Sequence, residues 1–202
     1  MTNQRIIVLD LETQKSFKEV GRSKLEKLKV SVVGIHDSVM KDYMTYDEQD
    51  LMDLEKHLQK ADLIVGFNIR RFDLPVLAPY LFMPVDQFPV LDLLDDIEAA
   101  RGHRASLDSV AAPTLKQRKS GSGTEALVLF KQKRFDELKK YCLQDVKLTK
   151  EVYEYGCEHG SVKFTSAWDY KTYDIPVTWK EQSERFFQQG AQKESEFPTS
   201  LF

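Results

Sequence analysis

The chain has 202 residues, of which 42% are hydrophobic and 30% charged, with a formal net charge of −3. These values are typical of a folded globular domain and exclude a mainly disordered, collagen-like or coiled-coil protein. Apolar runs fall short of the roughly 20 residues that cross a bilayer, and the N-terminus lacks the apolar segment of a signal peptide. We therefore expect an intracellular protein that does not contact membranes.

The predicted elements indicate an α/β domain around a mixed central sheet. Strands are predicted at 5–11, 28–36, 39–46, 62–67 and 88–93, with two short strands within 161–179. Helices are predicted at 47–60, 73–81, 94–101, 106–112, 123–131 and 135–156. Strand hairpins come first and strand–helix alternation follows, so we expect three antiparallel strands, then parallel strands, flanked by helices. We place one domain at 1–180 and a flexible tail, rich in Gln, Glu and Ser, at 181–202.

Four carboxylates fall where the pattern predicts burial. Asp10 and Glu12 end the first strand and project from one face, because strand side chains alternate. Asp73 follows the buried fourth strand, and Asp145 lies on the apolar stripe of the long helix, one turn after Tyr141. Each acid alone is compatible with a turn, a helix cap or a half-exposed surface. Together, four inward acids favour divalent cations such as Mg²⁺ or Mn²⁺, because buried unpaired carboxylates are costly.

Basic residues are concentrated at 113–140, which holds eight Lys or Arg and three acids in an otherwise acidic chain. Such a segment fits a polyanionic partner held at one place, or simply a solvated surface. Lys116, Arg118 and Lys119 lie between the second and third acidic segments. They are therefore candidates for contacts with a nucleic-acid substrate.

Three segments, LDLET at 9–13, VGFNIRRFDLP at 65–75 and YCLQD at 141–145, resemble the exonuclease motifs of the DEDD superfamily. Tyrosine stands in the third motif, as in one branch of that superfamily, and the segments are similar to those of B-family DNA polymerase exonuclease domains. The resemblance spans residues 6–155. It implies a ribonuclease H-like fold and metal-dependent 3′–5′ exonuclease activity.

The resemblance also implies roles for the acids and for Tyr141. Asp10, Glu12 and Asp145 would hold one of two divalent cations, Mg²⁺ or Mn²⁺. Asp10 would also contact the second cation, with Asp73 supporting it. Tyr141 would orient the attacking water, because an ordinary tyrosine hydroxyl loses its proton only near pH ~10. Core packing is the other interpretation of Tyr141.

The second motif and the end of the first supply the substrate-binding candidates. Phe72 would stack on terminal bases and Asn68 would hydrogen-bond sugar or backbone, although packing and loop formation also explain both residues. Thr13 would offer its backbone N–H to the terminal nucleotide. Arg71, with Arg70, would contact phosphate or remain a surface residue.

Two other functions stay open at this level. The chain could be a catalytically idle nucleic-acid-binding or polymerase-accessory module, or a ribonuclease that trims RNA ends. The polymerase-like motifs favour single-stranded DNA 3′ ends over RNA. Because no polymerase segment is present, a polymerase or a sliding clamp is a candidate partner. The final residues, 200–202, resemble the end of the short peptide with which bacterial replication proteins bind the clamp.

Overall fold

The computed structural model describes residues 4–21, 23–117 and 123–196, without the side chains of 123 and 193–196. Its five-stranded sheet has the order β3-β2-β1-β4-β5. The strands are β1 (Ile6–Thr13), β2 (Val30–Asp37), β3 (Asp42–Asp47), β4 (Leu63–Gly66) and β5 (Val90–Asp92). The pairs β1–β2 and β2–β3 are antiparallel, whereas β1–β4 and β4–β5 are parallel. This confirms the predicted mixed sheet.

Helices flank the sheet and a second hairpin follows it. The helices are α1 (Phe17–Val20), α2 (Leu51–Leu58), α3 (Asp73–Leu77), α4 (Leu93–Arg101), α5 (Leu107–Leu115), α6 (Gly123–Lys131), α7 (Phe135–His159) and α8 (Trp179–Glu196). Short 3₁₀ turns lie at Leu25–Lys27, Glu48–Asp50, Ala78–Tyr80 and Val85–Gln87. The hairpin consists of β6 (Ser161–Thr165) and β7 (Thr172–Pro176), which pair antiparallel. No helix in the described ranges is long and apolar enough to cross a membrane.

The alternation of side chains along β1 decides which residues face which half of the core. Ile7, Leu9 and Leu11 pack into the cluster that contains α2 and α3. Val8 packs on the opposite side, with residues of α4, α5 and α7. Since strand side chains alternate, Asp10 and Glu12 lie on the Val8 side, against α7. The first strand thus carries two acids toward the long helix.

A glycine in β2 lets α7 approach the sheet closely. Gly34 pairs with Asp10, and a Cβ on Gly34 would lie 2.9 Å from the Cys142 sulfur. That sulfur is also 3.5 Å from the Asp10 carbonyl oxygen. The helix therefore crosses β1 and β2 at Asp10, which brings Asp145, one turn further along α7, to the same place.

The C-terminal region differs from the expected flexible tail beginning at residue 181. Residues Trp179–Glu196 instead form α8, anchored by Trp179, whose side chain is fully buried. A Cβ on Gly156 would lie 2.2 Å from the Trp179 ring, so Gly156 provides room for this contact. Helix α7 continues past Gly156 to His159, and Gly160, which has a left-handed backbone conformation, caps its end. The chain from 197 onward, including the clamp-peptide resemblance, lies outside the described residues, so that hypothesis stays a prediction.

Candidate metal centre and cleft

Three of the four predicted acids meet at the carboxyl end of β1. Asp10, Glu12 and Asp145 each place one carboxylate oxygen within 4.8 Å of the other two. Glu12 and Asp145 are buried, and Asp10 is half-buried. Within the described ranges this is the one group of three or more acids, histidines or cysteines with such spacing. An all-oxygen set of negative ligands fits Mg²⁺ or Mn²⁺, so the residues present suit the expected cations.

Asp73 lies beside this group but not in it. It is the first residue of α3, it is buried, and its carboxylate accepts a hydrogen bond of 3.1 Å from the Leu11 backbone N–H. Burial is the main reason that its pKa is raised to about 8, and the charge of Asp92 adds to the effect. Asp73 lines the same cleft as the other three acids. Its supporting role toward a second cation stays a prediction.

Tyr141 lies one turn before Asp145 on α7, as predicted, and is 6% exposed. It packs in an apolar cluster with Val32, Leu138 and two residues of α6, Ala126 and Leu129. It does not belong to the lining of the cleft. The position fits the packing interpretation, and the orientation of a water by its hydroxyl stays a prediction.

The acids form one wall of a cleft of about 630 Å³. Thr13 and Phe72, two predicted substrate-binding residues, line it too. The Thr13 hydroxyl donates to the Lys15 carbonyl oxygen at 2.9 Å, which fixes the chain where it leaves β1. The Phe72 ring lies 5.9 Å from the ring of Phe17, at 56°. Phe67 lines the cleft as well, so the cleft combines a carboxylate cluster with three aromatic rings.

Several residues of this cleft were not found from the sequence. Lys15, Phe17 and Lys18 come from the loop and short helix after β1, and Thr124 and Leu127 come from α6. The first three directly follow the LDLET motif, so proximity in the chain was a usable signal for them. No local signal marks the α6 residues, because their position depends on how α6 packs over β1.

Asn68 lines a second, smaller cavity of about 230 Å³ that also reaches Asp10 and Asp145. It has a left-handed backbone, with φ of 66°, and its backbone N–H donates to Asp92 at 2.7 Å. Its side-chain oxygen accepts from Arg104, a residue that belongs to none of the three sequence motifs. Asp92 also accepts from the backbone N–H of Arg70 at 3.0 Å, so one buried acid fixes this loop beside the metal centre.

Of the predicted basic contacts, Arg71 and Lys116 lie among the described residues, and they do not line the cleft. The Arg71 guanidinium is 2.7 Å from Glu98, and neither residue lines the cleft. Lys116 lines a different groove, between α5 and the β6–β7 hairpin. Arg118 and Lys119 lie outside the described residues. Further along the basic segment, Lys131, Arg134 and Lys139 form ion pairs with Glu19, Glu137 and Asp47, respectively.

A family model of the RNase H superfamily matches residues 9–157. The match includes the sheet strands that carry the acids and helix α7, and with this fold it shows that the chain belongs to the RNase H superfamily. Nucleases of this superfamily use divalent metals, which agrees with the cluster of Asp10, Glu12 and Asp145.

Among solved structures, the chain is similar to the family B DNA polymerase from the hyperthermophilic archaeon Pyrobaculum calidifontis, with a TM-score of 0.60 and 18% identity. The similarity covers 76% of this chain and 24% of the polymerase chain. This chain therefore spans about a quarter of the length of that protein, and the likeness concerns the fold. A comparison with curated proteins gives no match.

Proposed function

We propose that the chain is a metal-dependent 3′–5′ exonuclease that hydrolyses phosphodiester bonds at the 3′ end of single-stranded nucleic acid. The observation that carries this proposal is the cluster of Asp10, Glu12 and Asp145 in the wall of a cleft that also holds three aromatic rings. Membership of the RNase H superfamily supports hydrolysis of nucleic acid as the reaction.

The acids would supply the ligands for two cations. Asp10, Glu12 and Asp145 would hold one cation, Asp10 would also contact the second, and Asp73, fixed by the Leu11 N–H, would support it. Bound divalent cations would activate a water and stabilise the negative charge that builds up on the phosphodiester and the leaving 3′ oxygen. The protein's own contribution is a preorganised site, because β1 and α7 hold the carboxylates in place before substrate arrives.

The aromatic rings favour action at a strand end. Phe17 and Phe72 lie in the cleft with the acids, where an unpaired base can pack against an aromatic ring without regard to its sequence. Thr13 lies beside them, and Asn68 reaches the acids from the neighbouring cavity. Lys15 and Lys18 add positive charge at the mouth of the same cleft, where a phosphate backbone needs it.

DNA is the proposed substrate over RNA, because the similar solved structure is a DNA polymerase. A polymerase or a sliding clamp is the proposed partner that delivers the 3′ end. The choice between DNA and RNA is separate from the hydrolysis itself, because selection against the 2′-OH depends on contacts to the sugar and not on the metal centre. The partner that delivers the 3′ end is also a separate part of the proposal.

The direct test is to incubate the purified protein with 5′-labelled single-stranded DNA or RNA in Mg²⁺, Mn²⁺ or EDTA. We expect a ladder that shortens from the 3′ end in either metal, faster for DNA, and no products in EDTA. The Asp10→Asn variant should yield almost no products, and Asp53→Asn is its matched control, because Asp53 is an exposed acid on α2. Internal cuts without a ladder would contradict the exonuclease proposal, and intact strands in every metal would leave an idle binding module.

A further inference from the structure

Two aromatic side chains project from the turn of the β6–β7 hairpin. Trp168 is 94% exposed and Tyr170 is 84% exposed. Rings of this size are seldom left fully in water, and exposed apolar groups close together mark binding surfaces. Phe82 has a similar exposure of 82%, but it belongs to another loop, between α3 and β5. The exposed pair of rings on the hairpin therefore indicates a binding surface.

The turn that carries the two rings is internally braced. The Ser166 backbone N–H donates to the Lys171 carbonyl, and the Tyr170 N–H donates to the Ser166 carbonyl, each at 3.0 Å. The Trp168 N–H donates to the Ser166 hydroxyl at 3.3 Å. The Asp169 carboxylate accepts from the Tyr173 hydroxyl, so this acid is already engaged within the hairpin. A braced turn presents its rings with little loss of conformational entropy on binding.

The base of the hairpin is fastened to the helices that border the metal centre. The Lys163 N–H donates to the Thr114 hydroxyl of α5 at 2.9 Å, and that hydroxyl donates back to the Lys163 carbonyl at 3.1 Å. The Arg101 guanidinium at the end of α4 lies over the Tyr173 ring, 4.1 Å from its centroid. The hairpin and the acids are thus parts of one packed unit.

A groove beside the hairpin shares a lining residue with the cavity beside the acids. The groove lies between α5 and the hairpin, has a volume of about 550 Å³, and is lined by Ser106, Ser109, Thr165, Thr172, Asp108 and Lys116 together with the apolar Ala112 and Pro113. Ser106 also lines the small cavity that contains Asp10, Asn68 and Asp145. The cavity beside the acids and the groove beside the hairpin are therefore neighbours, joined at Ser106.

We propose that Trp168 and Tyr170 form a stacking platform for bases of the single strand whose 3′ end lies at the acid cluster. This inference rests on the proposed function and extends its substrate site along the groove. Single-stranded nucleic acid fits because every base has a face for stacking, while the groove offers the Lys116 ammonium and the hydroxyls of Ser106, Ser109, Thr165 and Thr172 to phosphate oxygens. Lys171 supplies positive charge beside the rings, since it is exposed on the same turn.

The tryptophan content of the chain gives a direct binding test. The chain has two tryptophans, and Trp179 is fully buried, so fluorescence quenching by a ligand reports Trp168. We titrate the protein in EDTA with DNA strands of about 12 and about 3 nucleotides, because one binding fold covers roughly 4–16 nucleotides. We expect quenching by the longer strand alone. Absence of quenching at saturating long strand would overturn the proposal.

Variants separate stacking from folding. The Trp168 variants lack this fluorophore, so the binding of every variant is measured by the anisotropy of a 5′-labelled strand. Trp168→Ala is expected to weaken binding of the longer strand about tenfold, the effect of losing one stacked base. Trp168→Phe should keep most of the affinity because it keeps a ring. Phe82→Ala is the matched control, with an equally exposed ring elsewhere, and should bind as wild type. If Trp168→Ala and Phe82→Ala lower the affinity for the longer strand equally, or if neither lowers it, the proposal is overturned.

Hydrolysis distinguishes failure of the platform from failure of the proposed function. In Mg²⁺, the Trp168→Ala/Tyr170→Ala variant should lose kcat/KM on the longer strand and match wild type on the shorter one. Equal kcat/KM of variant and wild type on the longer strand, or equal losses on both lengths, would overturn the platform. If wild type hydrolyses neither strand, the proposed function fails, whereas the binding test in EDTA still decides the platform.

Discussion

Buried carboxylates occur at both ends of the β1–β2 pair, in opposite surroundings. Asp10 and Glu12 stand at one end, where oxygens of three acids lie within 4.8 Å of one another. Asp37 stands at the other end and is fully buried. It accepts hydrogen bonds from Arg5 at 2.8 Å, from the His57 ring at 2.7 Å and from two backbone N–H groups. One end gathers like charges and the other surrounds a single charge with donors.

The same residue type stabilises the fold at one end and, in the proposed function, serves chemistry at the other. Burial alone would raise the pKa of Asp37, but the hydrogen bonds from His57, Met40 and Val39 outweigh it and hold the pKa below its usual value. The charged form of Asp37 is therefore favoured in the native state, which stabilises the fold. The three acids at the cleft lie close enough to repel one another when charged, and in the proposed function bound cations would offset this repulsion.

The largest effect is expected at the acid cluster. Asp10→Asn or Asp145→Asn should lower single-turnover hydrolysis by about 10³-fold or more, because the metal's stabilisation of the transition state is worth several kcal/mol. In EDTA the free energy of unfolding should stay equal or rise, since a repulsive charge is removed. Urea unfolding checks the second part. Wild-type turnover, or a protein less stable by several kcal/mol, would contradict the functional assignment of these acids.

Asp37→Asn should lower stability and leave hydrolysis nearly unchanged, the reverse of the substitutions at the acid cluster. The change weakens hydrogen bonds from Arg5 and His57 to a buried charge, so the free energy of unfolding should fall by about 2–3 kcal/mol. Hydrolysis below the unfolding transition should remain near wild type, because Asp37 lies at the far end of the strands. Urea unfolding gives the free energy of unfolding, and the nuclease assay on the same preparation gives the rate of hydrolysis. A large loss of turnover in the folded variant would break the comparison.

Gly34→Ala tests the link between the fold and the cluster. The added methyl group would meet the Cys142 sulfur at 2.9 Å and Val146 at 3.0 Å, so α7 must shift. We expect a loss of about 1–3 kcal/mol in stability, the usual range for overpacking, with reduced turnover because Asp145 moves with the helix. A second change, Cys142→Ala, should recover part of both losses. A double variant no better than Gly34→Ala would show that this contact does not position Asp145.

The smallest effect concerns pH. The folded-state pKa of Asp37 lies below its usual value of 3.8, so its contribution to stability is fully present above that value and is lost as the pH falls through the folded-state pKa. The difference in unfolding free energy between wild type and Asp37→Asn should therefore shrink as the pH falls below about pH 4. A difference in unfolding free energy that grows as the pH falls would contradict the predicted direction of this pH dependence.

Most of the sheet and the long helix could be predicted because their signals are local. β-branched runs mark the strands, and the apolar stripe that contains Leu138, Asp145 and Val152 marks α7. The period of two along β1 is enough to place Asp10 and Glu12 on one face of the strand. These features depend on side chains close in the chain, which a single sequence displays.

The remainder depends on contacts between distant segments. Helix α8 is too polar to be recognised from composition, and Trp179 fixes it only because Gly156 leaves space on α7. Thr124 reaches the cleft because α6 packs over β1, and Lys116 faces a different groove although it is close in sequence to α6. Such placements follow from tertiary packing and have no local pattern.

The most direct measurement of the central claim is a calorimetric titration of the EDTA-washed protein with Mn²⁺, compared between wild type and the Asp10→Asn/Asp145→Asn variant. We expect saturable Mn²⁺ binding and a higher Tm for wild type, with both lost in the variant while the variant's fold and metal-free Tm persist. Identical binding isotherms for the two proteins, or no binding to either, would contradict the assignment of the acid cluster as a divalent cation site.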